Sequence, residues 1–211
     1  MDFVISEELR SVQQLAAQIL GDFTQVDKLK IIEAQPERFD PALWQALAEA
    51  GLLGLDIEEA HGGMDLGFYS LSMLCEEVGR SVAPVPVVPV LVGAAGTLRR
   101  FGSDAQKDEW LPAIASGKAL LSSALEEYQN DDPASPATSA KAVDGGFALS
   151  GSKLCVAAAT RAARILVPAT TGDELLVVLV DPQAAGVTLN AQVVTSGETL
   201  HELVLENVQV A

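Results

Sequence analysis

The sequence predicts an α+β protein, in which an all-helical N-terminal domain precedes an antiparallel β-barrel or sandwich. Three observations carry this. Up to residue 118, apolar residues recur at every third or fourth position, the period of a helix face. Beyond it, short apolar runs alternate with turns rich in Gly, Asp and Pro. Between them Phe101 to Lys118 forms one helical unit where the period changes, so the domains are expected at 1–118 and 119–211.

The elements follow in order. Ser6 suits an N-cap, with Glu7 and Glu8 in the first turn where the helix dipole favours anions. Leu9, Val12, Leu15, Ala16 and Ile19 then give one apolar face, and Gly21 is an expected stop. Asp40-Pro41 opens a second helix as N-cap and first residue, with Leu43, Trp44 and Leu47 inward and Gly51 at its end. His61-Gly62-Gly63 reads as a turn. A helix is expected from about Phe68 to Gly79, and another from about Val90 to Phe101, after an irregular stretch holding Pro84, Pro86 and Pro89. The next helix takes Asp104 as cap, Trp110, Leu111 and Ile114 as stripe, and Gly117 as stop.

After Gly117, strands are expected at 120–125, 139–143, 147–150, 154–157, 164–167, 175–180 and 203–205, with 175–180 read as buried. Asp144-Gly145 signals a hairpin, and Thr171-Gly172-Asp173 and Asp181-Pro182 signal turns. Gln129 to Ser139 reads as a polar loop.

The formal net charge of −16 repels phosphate backbones and anionic lipid, so nucleic acid and membrane surfaces are not expected partners. No apolar run approaches the ~18 residues of a membrane span, and the basic-then-apolar pattern of a signal peptide is absent. Cys75 and Cys155 form no disulfide framework, which suits a reducing cytoplasm. His61 and His201 read as structural, and no spacing supports a metal site. Nucleophile-elbow, phosphate-loop and dinucleotide motifs are missing, so no catalytic residue is assigned. Glu58-Glu59, Glu76-Glu77 and Glu126-Glu127 read as solvated faces.

Five pieces, in order, carry a resemblance: Phe39 to Gly63, Cys75 to Arg80, Phe101 to Lys118, Ser122 to Glu127 and Asp144 to Lys153. Together they resemble the N-terminal helical and middle β domains of the acyl-CoA dehydrogenase family. The resemblance implies FAD as cofactor, an acyl-CoA thioester as substrate, and 2,3-enoyl-CoA as product. It also implies a homo-oligomer or a hetero-oligomer with another subunit of the family. The family's C-terminal four-helix domain, which carries the catalytic glutamate, is not expected within these 211 residues. The resemblance places Leu125, Glu126, Cys155, Val156 and Ala157 at the cofactor and Asp132 at the substrate.

The chain departs from the family at the polar points. Glu126 stands where a threonine is expected, Cys155 for a tryptophan, Ala157 for a hydroxyl residue, and Asn130-Asp131-Asp132 for Gly-Ser-Asp. A carboxylate only accepts hydrogen bonds and alanine offers none. Three readings follow: a flavoprotein dehydrogenase, a non-catalytic partner subunit, or a flavin-free scaffold on the same fold. Sterol side chains, branched acyls and polyketide-type thioesters all remain candidate substrates.

Overall fold

Three of the described helices start where a side chain satisfies the free N–H groups of the first turn. In the computed structural model, which describes residues 5–130, 132–172 and 174–210, Ser6 caps α1 (Glu7–Phe23) by accepting from Leu9 N–H. The chain divides into two units, Met1–Ala119 and Leu120–Ala211. Asp131, Asp173 and Ala211 lie outside the described residues, and with the first two go parts of the expected acidic stretch and of one turn.

Gly21 sits inside α1 and the helix runs on to Phe23, with Thr24 as its C-cap, because the face that packs is Val12, Ala16 and Leu20 rather than one ending at Ile19. A helix not expected from sequence, α2 (Val26–Glu33), buries none of its residues, so it leaves no clear periodic signal. Asp40 caps α3 (Pro41–Glu49) through the N–H groups of Ala42 and Leu43, both at 3.0 Å, and Gly51 ends it in the left-handed region. Then come α4 (Gly67–Ser81), a wide π-helical turn at Val88–Ala95, α5 (Gly96–Phe101) and α6 (Asp104–Ala115). Val85, Val87 and Val90 are buried along the proline-rich stretch, which makes it a structural connection. Ser103, not Asp104, caps α6, and Gln106 reaches back to complete a capping box; Asp104 lies in the first turn.

The second unit is one seven-stranded mixed sheet: β1 (Leu121–Ser123), β2 (Ser139–Val143), β3 (Gly146–Ala157), β4 (Arg164–Thr171), β5 (Glu174–Val180), β6 (Val187–Gln192) and β7 (Leu200–Val210). The expected strand 147–150 and strand 154–157 are one strand, interrupted by register shifts at Leu149/Gly151 and Lys153/Val156. β4 pairs with β5 along one side and with β1 and β2, both parallel, on the other. β2 and β3 form the Asp144-Gly145 hairpin. The core gathers Leu149, Ile165, Val167, Leu203, Leu205 and Val208.

Two strand expectations change. β5 is an edge strand with only Val180 buried; Leu176 and Val178 pack on the core while Leu175 and Val177 are exposed. β6 was not expected, because it too is an edge and its outer positions, Thr188 and Asn190, are polar.

Candidate functional site

The residues placed at the cofactor by resemblance gather on the second unit, where the segment after β1 meets β3. The contact is one isolated antiparallel bridge, Glu126 with Leu154, closed by Leu154 N–H donating to the Glu126 carbonyl at 2.8 Å. Leu125, Glu126 and Cys155 are exposed there, and Ala157 is half-buried at the end of β3. Val156 is fully buried in the core, so its side chain belongs to the packing and not to this face. Asp132 stands apart on the polar loop, where its carboxylate accepts from Ala134 N–H at 3.0 Å.

Cys155 has φ +55°, a left-handed backbone at the register shift of β3. Its N–H donates to Gln192 Oε1 of β6 at 2.8 Å. Slight burial, then the charge and hydrogen bond of the Glu126 carboxylate, push its thiol above the usual range, so this is not an activated cysteine. Buried Ser122 donates to the Ala157 carbonyl at 2.5 Å and holds the end of the strand.

Behind this face lies a buried ion pair, Glu127 with Lys153, which corrects the expectation that Glu127 is solvated. Glu127 is buried, and its carboxylate accepts from Lys153 Nζ at 2.7 Å, Thr138 Oγ1 at 2.6 Å, the N–H groups of Thr138 at 2.9 Å and Ala137 at 2.5 Å, and Asn130 Nδ2 at 3.0 Å. Lys153 is fully buried. Burial alone would raise the Glu127 pKa, but the donors outweigh it and hold it at about 2. Burial pushes the Lys153 ammonium below its ordinary value, and Glu127 opposes this in part. Glu77 is also buried, with Gln13 Nε2 donating to it at 2.8 Å; Glu76 and Glu126 are exposed as expected. Sequence offered no clear signal for the pair, since Lys153 falls between the two expected strands 147–150 and 154–157 and follows Ser150 and Ser152. Nor did it offer one for Gln192, which lies on the unexpected β6.

The histidines are structural. His61 stands 3.2 Å from Asp108 and 3.7 Å from Glu58, linking the Glu59–His61 turn to α6. His201 is buried opposite Val156, and burial lowers its pKa; among the described residues its Nδ1 has no hydrogen-bond partner. Because the unfolded state then binds the proton more strongly, stability contributed by neutral His201 is complete above about pH 6.5 and declines as pH falls below it. His201→Leu is expected to flatten that decline below about pH 6.5 in urea titrations; an unchanged slope would place the loss elsewhere.

A flavin ring offers carbonyl oxygens and ring nitrogens that need donors. On this face the Leu154 and Cys155 N–H groups are already used, the thiol is bound to Glu126, residue 126 is acceptor-only, and residue 157 ends in a methyl. The side chains of this face therefore offer a flavin no free donor, and they do not fit a flavin held by side chains of this face alone. Among the described residues no group of three His, Cys, Asp or Glu side chains could hold a metal ion, and no helix is long and apolar enough to cross a membrane.

Comparison with known proteins gives consistent likenesses. Residues 6–118 match the family description "Acyl-CoA dehydrogenase, N-terminal domain". The acyl-CoA dehydrogenase FadE27 of Mycobacterium tuberculosis is 29% identical over 210 residues, covering 100% of this chain and 55% of that protein. FadE28 of the same organism is 33% identical over 80% of this chain and 47% of its own length. The chain thus spans about half the length of the curated relatives it matches. Among solved structures, a variant of the Tcur3481–Tcur3483 steroid ACAD is 41% identical with a TM-score of 0.91, covering 96% of this chain and 55% of that one. The ChsE4–ChsE5 complex from Mycobacterium tuberculosis is 28% identical with a TM-score of 0.93, covering 100% and 57%.

Proposed function

The chain belongs to the acyl-CoA dehydrogenase family, and we propose that it serves α,β-dehydrogenation of an acyl-CoA thioester as the non-catalytic partner subunit of a heteromeric enzyme. FAD is the electron acceptor of that assembly and is held chiefly by the other subunit. One observation carries this reading: the side chains of the face that would meet the flavin are the Glu126 carboxylate and the Ala157 methyl, with the Leu154 and Cys155 N–H groups already used. A carboxylate also repels the electron-rich reduced ring. Likeness to two-component structures supports the same reading, at 41% identity for the Tcur3481–Tcur3483 steroid ACAD. That relative's name also makes a steroid acyl group the substrate class we assign. The helical unit and the sheet unit act here as the family's N-terminal and middle domains.

The test is spectroscopic. Purified alone, the full protein is expected to lack oxidised-flavin absorbance; co-purified with a catalytic subunit, the complex is expected to be yellow and to bleach with a steroid acyl-CoA under anaerobic conditions. A lone chain that is yellow and bleaches would make it a complete enzyme and overturn the partner reading. A complex without flavin would make it a scaffold.

Restoring donors gives a second measurement. Glu126→Thr with Ala157→Thr adds two hydrogen bonds at about 0.5–1.5 kcal/mol each, so flavin retention is expected to tighten roughly tenfold or more. Unchanged retention on equilibrium dialysis would show that these positions do not face the ring.

A further inference from the structure

The segment that carries Glu126 is held to the sheet by very little backbone. β1 ends at Ser123, one further backbone bond joins Ala124 N–H to the Leu166 carbonyl of β4 at 2.9 Å, and beyond it Glu126 and Leu154 form an isolated bridge. In an antiparallel pairing the next rung joins Glu127 and Lys153, and that rung is the buried ion pair. Side chains alternate across a strand, so the pair points inward while Glu126 stands exposed on the other side. Glu127 also draws in Ala137 and Thr138, the end of the polar loop that begins just after it.

We propose that Glu127 and Lys153 are positioning residues: their buried ion pair, rather than the β ladder, sets where Glu126 stands against Cys155. The identity of the exposed face then depends on a contact behind it. The inference rests on the partner-subunit reading only for the use to which the face is put; the geometry belongs to this chain alone.

Three facts support it. A single bridge gives one backbone hydrogen bond, a modest net contribution. The ion pair is wholly shielded from water at Lys153, where charge and hydrogen bonding act at short range. The link reaches the face through adjacent residues, Glu127 to Glu126 and Lys153 through Leu154 to Cys155, without an intervening flexible element.

The test uses the chain without flavin or partner. Lys153→Met removes the ammonium; Thr138→Val is the milder variant, removing one donor and leaving both charges in place. Two local readouts are followed: hydrogen exchange at Leu154 N–H, whose acceptor is the Glu126 carbonyl, and alkylation of Cys155 by neutral iodoacetamide across pH. Cys75, half-buried in α4, serves as the internal reference. In Lys153→Met, Leu154 protection is expected to fall about tenfold while the amides linking β3 to β7 keep theirs. Cys155 alkylation is expected to rise severalfold and its pH profile to move down, as the carboxylate leaves the thiol. Thr138→Val is expected to move both readouts the same way by less.

Unchanged Leu154 protection and Cys155 reactivity in the folded variants would overturn the proposal. So would a loss of protection spread evenly over the sheet, since that reports stability alone. Should Lys153→Met fail to fold, Thr138→Val decides. A yellow lone chain would sink the partner reading and leave these readouts untouched; a null result here would leave that reading standing.

Discussion

Glu127→Leu is expected to destabilise the sheet unit by about 3–5 kcal/mol, because it leaves the Lys153 ammonium buried with its acceptor gone. That is a large fraction of the stability of a small domain. Lys153→Met is expected to cost less. Glu127 would still hold four donors, from Asn130, Ala137 and Thr138, which keep its charge partly compensated. The double variant should recover part of the Glu127→Leu loss, since an apolar pair of similar volume needs no charge compensation. Urea titrations followed by far-ultraviolet circular dichroism would measure the order. Equal costs for the two single variants would mean that the loop donors contribute nothing.

The same contacts predict an acid limb. Glu127 sits at about 2 in the fold against an ordinary 4.5, so the unfolded state binds the proton first as pH falls. Its contribution is complete above about pH 4.5 and drains away toward pH 2. Glu127→Leu should flatten this limb and leave the decline assigned to His201 at higher pH in place.

Gly63→Ala is expected to cost the helical unit about 3–4 kcal/mol, whereas Gly62→Ala should cost about 1–2 kcal/mol. The two glycines adjoin in one turn but are needed for different reasons. Gly62 has φ +79° and open space around it, so a methyl meets only backbone strain. At Gly63 a Cβ would stand 2.0 Å from the Ile57 carbonyl oxygen, which is itself fixed by Asp65 N–H at 2.9 Å. No rotamer relieves a clash between Cβ and backbone; the turn must move. Fluorescence of Trp44 and Trp110, both in this unit, reports its unfolding in urea. Similar costs for the two variants would show that the Ile57 contact yields readily.

What was legible in the sequence were features whose cause is local. Ser6 and Asp40 cap helices because their side-chain oxygens reach N–H groups two or three residues on. Gly51, Gly117 and Gly145 turn the chain because only a few residues adopt positive φ cheaply. The order of helices then strands follows from such signals repeated along the chain, while the family was legible only through the resemblance of five segments. At α6 the cap is Ser103 rather than the expected Asp104, because Gln106 three residues on completes a capping box with it.

Only the tertiary structure decided which polar groups are buried and what they touch. Glu126 and Glu127 are identical side chains at adjacent positions, and nothing local separates them. One stands in water beside Cys155; the other is enclosed by Lys153, Thr138 and Ala137, up to 26 residues away in sequence. Edge strands β5 and β6 were misread or missed for a related reason, because burial depends on which strand lies alongside. The sequence alone determined the helical-then-β order and the places where the chain turns, since these are written in backbone preference over a few residues. The buried ion pair and the face in front of it were decided by distant segments meeting, since desolvation and charge pairing exist only once they do.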